Sequence, residues 1–85
     1  MKSIGQDTGK SFLDNGREAR EILGMLCSQD GIREAVTEYC GERAANFVEQ
    51  EVERSNATVT HYSVTGKQLF WLRDIKDKLI EKGIL

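Results

Sequence analysis

The sequence predicts an all-α fold: a small domain of three or four helices with an extended linker before the last one. Three observations carry that expectation. Apolar residues recur at three- and four-residue spacings along most of the chain, as one face of an α-helix requires. Capping residues and glycines punctuate those stripes at helical lengths. Proline is absent, which suits helices. Eighty-five residues make a single domain, read here as spanning residues 1–85.

Residues 1–10 are polar and hold two glycines, and fraying is expected there. Phe12 and Leu13 are read as a hydrophobic anchor before the first helix. Asn15 is placed as its N-cap, with Glu18 at box-like spacing. Ala19, Ile22, Leu23, Leu26 and Cys27 then form its buried stripe. Ser28-Gln29-Asp30-Gly31 is a turn, and Asp30 is the expected cap of the next helix.

That helix buries Ile32, Ala35, Val36, Tyr39 and Cys40. After Gly41, the stripe resumes with Ala44, Ala45, Phe47, Val48 and Val52. On one straight helix these positions drift around the axis. A break or kink at Gly41 removes the drift, since glycine suits a helix C-terminus. One long helix over residues 31–54 is the alternative. Residues 55–65 are rich in Thr, Val and Tyr, without a helical stripe. They read as an extended linker with a short strand around residues 59–62.

The last helix is expected at residues 66–82. Thr65 and Gln68 have the spacing of a capping box, and Val64 and Leu69 that of a hydrophobic staple. Gly83 suits a left-handed C′ position, and Lys78 and Lys82 suit the C-terminal end of the dipole. Leu69, Leu72, Ile75, Leu79 and Ile80 form the core stripe. Trp71, the single tryptophan, falls on its edge beside Lys67, Lys78 and Lys82. The plain expectation is an edge-of-core ring covered by lysine stems; the alternative is a base-stacking platform. Phe70 falls on the far side, among Asp74, Asp77 and Glu81. Either the N-terminal arm or another loop covers it, or it meets a partner.

The pattern Thr65-x-Lys67-Gln68-x-x-Trp71-Leu72-x-x-Ile75-x-x-Lys78-Leu79 resembles a helical tail seen in various phage and prophage proteins, some tied to DNA metabolism. The resemblance covers under a quarter of the chain. It implies a mobile-element origin and assigns no residue a role.

Chemical motifs are sparse. Gly5-Gln6-Asp7-Thr8-Gly9-Lys10-Ser11 suggests a phosphate loop, but has one residue too few between its glycines and no strand before it. Cys27, Cys40 and His61 lack the paired spacing of structural zinc. The two cysteines are expected as buried free thiols, and His61 as a half-exposed linker residue. Asn56-Ala57-Thr58 matches a glycosylation sequon, read as chance in a chain without an apolar leader segment. A helix-turn-helix around Gly41 would need apolar residues where Glu42 and Gln50 stand, and its second helix would repel phosphates. The glutamates of residues 34–53 sit at helical spacings, as on a solvated face.

Charge is uneven. Residues 31–65 hold six glutamates and three arginines, while residues 66–85 hold five basic and three acidic residues, within a net charge of −2. Bulk charge therefore steers no nucleic acid toward the whole protein. No stretch reaches the roughly 18 apolar residues of a membrane span. The expected function is a cytoplasmic, non-catalytic interaction or regulatory protein that self-associates, without cofactor or metal. Its partner is another protein or a second copy, met through Phe70, Trp71, Lys67, Lys78 and Lys82. One alternative is a nucleic-acid accessory protein using the same helix. Another is an acidic decoy inhibitor of a nucleic-acid-binding enzyme.

Overall fold

The computed structural model describes the backbone of residues 3–58 and 61–85, and side chains of residues 13–58 and 61–85. Four helices follow one another: α1 (Ser3–Cys27), α2 (Ile32–Cys40), α3 (Glu42–Ala57) and α4 (Gly66–Glu81). Helix α1 packs on α4 and α3, and α2 packs on α3 and α4, so the four close a ring around one core. Each helix contributes its three-and-four stripe. Ala19, Ile22, Leu23 and Leu26 come from α1, Val36 from α2, Ala44, Ala45, Phe47 and Val48 from α3, and Leu69, Leu72, Ile75 and Leu79 from α4.

Two helices meet at Gly41, as the drift of the stripe required. Gly41 has φ 100° and ψ 160°, a backbone conformation open essentially to glycine alone. Its N–H donates to the carbonyls of Val36 and Thr37, closing α2, while its own carbonyl accepts from Ala45 in α3. A single residue thus ends one helix and starts the next.

Several local expectations are corrected. Helix α1 begins at Ser3, so Asn15 lies inside it and caps nothing; the side chain of Phe12 lies outside the described residues. Asp30 does not cap α2. Gly31 occupies the N-cap with φ 71°, and its carbonyl accepts from the Ala35 N–H. Cys27 is exposed although Leu26 beside it in the last turn of α1 is fully buried, and Cys40 is only half-buried. Both thiols are free, and burial pushes the Cys40 thiol pKa upward. Ile80 is 48% exposed. The buried stripe of α4 is narrower than the apolar sequence around it, and Ile80 lies beyond its edge.

The linker is also shorter and more buried than its composition suggested. Helix α3 continues through Ala57. There is no strand among the described residues; Val59 and Thr60 of the expected strand lie outside them. Tyr62 and Val64 instead turn inward and join the core.

Candidate functional site

Helix α4 is fixed at both ends and along its inner face. The Thr65 hydroxyl accepts from the Gln68 N–H at 3.2 Å, and the Gln68 side chain accepts from the Thr65 N–H at 2.9 Å. Val64 and Leu69, the staple pair, are both buried. At the other end the Gly83 N–H donates to Ile80 and the Ile84 N–H to Leu79, with Gly83 at φ 80°. That pair of bonds is a Schellman motif, and Ile84 packs on the core as the motif favours. Arg73 clamps Glu18 of α1 with two bonds of 2.7 Å each. The guanidinium holds the Glu18 carboxyl below its ordinary pKa.

On this rigid helix two aromatics remain outside the core. Phe70 is 66% exposed, so no described element covers it. Trp71 is 39% exposed and lies flat against Phe47 of α3, with ring centroids 4.2 Å apart and planes 10° from parallel. It is an edge-of-core tryptophan with one face already taken. Around it, Arg43, Asn46, Phe47 and Gln50 line a shallow notch of about 250 Å³. Lys67 and Lys78 are exposed on the same side of α4. Lys82 lies over the Tyr39 ring of α2, 5.6 Å from its centroid, a cation–π contact. The five residues singled out from the sequence therefore share the outer half of one helix. Arg43, Asn46 and Gln50 were not foreseen, because they come from α3 and only packing brings them to Trp71.

A second polar cluster was also missed. Glu51, expected on a solvated face, is 4% exposed. The Tyr62 hydroxyl donates to it at 2.7 Å and Arg54 at 2.8 Å. Arg54 also donates to the Ser63 carbonyl at 2.8 Å. Arg20 of α1 donates to the carbonyls of Ser55 and Thr58 at 2.8 Å each. The Arg20 and Arg54 guanidinium groups lie 5.2 Å and 4.9 Å from the Tyr62 ring centroid. Burial, reinforced by the Glu51 bond, raises the Tyr62 pKa and keeps the phenol protonated. Among the described residues no buried side-chain polar atom lacks a partner. The cluster is thus an internally bonded anchor that ties the linker to α1 and α3.

Elsewhere, Cys27, Ile32, Val36, Ala45, Val48 and Val52 line an apolar groove of about 450 Å³. The Arg33–Glu49 ion pair, 2.7 Å long, closes part of its rim. Among the described residues no three His, Cys, Asp or Glu side chains gather as metal ligands. No described helix is long and apolar enough to cross a membrane. His61 is exposed in the linker. No family model, characterised protein or solved structure matches this chain.

Proposed function

We propose that this chain is a non-catalytic interaction protein whose recognition element is the outer face of α4. Phe70 and Trp71 are its anchors, and Lys67, Lys78 and Lys82 form its charged rim. The observation that carries this reading is the exposure of Phe70 on a helix locked by a capping box, a Schellman end and the Arg73–Glu18 clamp. A ring carried on a fixed helix loses only its own rotamer freedom when a partner covers it. Burying such a ring contributes about 1.5–3 kcal/mol, enough to make it a dominant contact in a small interface. Phe70→Ala tests the assignment. It should leave thermal stability within about 0.5 kcal/mol of wild type while weakening association. Unfolding by the variant would make Phe70 a stabilising residue and remove the proposed surface.

A second reading has one feature in its favour. The notch beside Trp71 gathers a guanidinium and two amides, groups that hydrogen-bond phosphates and base edges. On that reading the chain is a nucleic-acid accessory protein, and Lys67, Lys78 and Lys82 track the backbone. Trp71 offers only one free face for stacking, and Asp74, Asp77 and Glu81 stand close by on the same helix, so protein recognition is preferred. Titration of the Trp71 fluorescence with nucleic acid at low salt separates the two. Quenching reversed by salt would favour the second reading.

A further inference from the structure

We propose that the occupant of the α4 face is α4 of a second copy, lying parallel to it about a two-fold axis that runs along the helices. The proposal rests on the reading of α4 as an interface and adds the partner, its orientation and its contacts.

Successive helical residues are about 100° apart, so Phe70 and Trp71 flank, at nearly one height, the strip of α4 that carries Lys67 and Asp74. Asp77 and Glu81 lie on the Phe70 side, and Lys78 and Lys82 on the Trp71 side. All of these residues are exposed. One helix face therefore carries an acidic border and a basic border along its C-terminal half.

A two-fold axis along the helix exchanges the borders. Each Phe70 then meets the partner's Trp71, and each acidic border meets a basic one. Asp77 comes to the partner's Lys82, the five-residue offset that pairs flanking charges in parallel helices. Glu81 comes to the partner's Lys78, about one turn away. A two-fold axis across the helix would make them antiparallel. Where such helices cross at the charged C-terminal half, it would set lysine against lysine and carboxylate against carboxylate, which disfavours that register. The C-terminal half of the face thus carries its own complement in the parallel orientation. Lys67 and Asp74 lie closest to the seam and each meets its own counterpart; the partner's Lys78 offsets the Asp74 repulsion. The sixteen residues of α4 span about 24 Å, so the contact is small and the dimer weak.

Sedimentation velocity of the full chain, from micromolar to near-millimolar at low salt, tests this. Wild type should show a reversible monomer–dimer equilibrium. Lys78→Glu with Lys82→Glu, and separately Asp77→Lys with Glu81→Lys, should each weaken self-association about tenfold or more. Mixing the two variants should restore a heterodimer. Circular dichroism confirms that both remain folded. Lys67→Cys, with Cys27→Ser and Cys40→Ser, reports orientation, since only parallel helices bring the two position-67 thiols together to be oxidised. Wild type that stays monomeric throughout overturns the pairing and leaves α4 to a different protein. A dimer indifferent to both charge swaps and to Phe70→Ala overturns the pairing and the α4 reading together. A dimer sensitive to the swaps but never cross-linked at position 67 overturns the parallel orientation.

Discussion

Two glycines of α1 should respond in opposite directions to the same substitution. A methyl group added at Gly24 meets nothing within 4 Å. Alanine there simply relieves the entropic penalty of glycine in a helix and should stabilise by about 0.5–1 kcal/mol. Gly16 is buried, and the same methyl would sit 2.8 Å from the Tyr62 carbonyl carbon and 2.9 Å from the Ser63 Cα, closer still to the Tyr62 carbonyl oxygen. These neighbours are backbone, so no rotamer change relieves the overlap. Overpacking of this kind costs about 1–3 kcal/mol, and here the upper end applies because the linker must move away from α1. Against the helix gain, Gly16→Ala should still destabilise by about 2–2.5 kcal/mol. For a domain of this size that lowers Tm by roughly 8–20 °C, while Gly24→Ala raises it by a few degrees. Thermal unfolding followed by far-ultraviolet circular dichroism measures both. Equal stabilisation by the two variants would refute the reasoning, because it would mean that residues 62–63 do not lie against α1.

Two further outcomes concern polar contacts. Tyr62→Phe keeps the buried ring but removes the 2.7 Å bond to Glu51, and should cost about 1–3 kcal/mol by urea titration at neutral pH. The Tyr62 pKa is raised above 10.0 in the folded chain. The bond's contribution is therefore complete below pH 10 and declines above it, so the gap between wild type and variant should narrow in alkali. Glu18→Gln loosens the clamp on Arg73. The Glu18 pKa is lowered from 4.5, so the stability it adds is present at neutral pH and lost as the pH falls through that lowered value. Wild type and variant should converge in an acid titration, with a small difference at pH 7 because both side chains are over a third exposed.

What could be read from the sequence was chemistry confined to a few neighbouring residues. The Thr65–Gln68 box, the Gly83 terminus and the break at Gly41 depend only on local spacing, and all are present. Local spacing failed where a rival nearby could serve instead. Gly31 displaced Asp30 as a cap because a left-handed residue could start α2 directly. Glu51 looked like Glu49 and Glu53, its exposed neighbours two residues away. Its burial depends on Tyr62, which arrives across a turn that composition marked as linker. The candidate surface divided in the same way. Phe70 was conspicuous as an aromatic among acids on one helix. The stack of Trp71 on Phe47 joins α4 to α3, and no spacing within either helix encodes it.

The ring order of the helices has a consequence for how the chain acquires its structure. The first helix docks on the last, and the clamp from Glu18 to Arg73 spans 55 positions. During synthesis, Ala19, Ile22, Leu23 and Leu26 leave the ribosome long before Leu69, Leu72, Ile75 and Leu79 exist to cover them. In the interval α3 is the main element that can shelter part of that stripe. Helix α2 with α3 is a local hairpin that can form early, whereas closure of the ring waits for loop entropy to be overcome at the greatest separation the four helices offer. The final helix is consequently the latch of a cooperative transition, and nascent chains stopped before it would leave the α1 stripe open to chaperones and proteases.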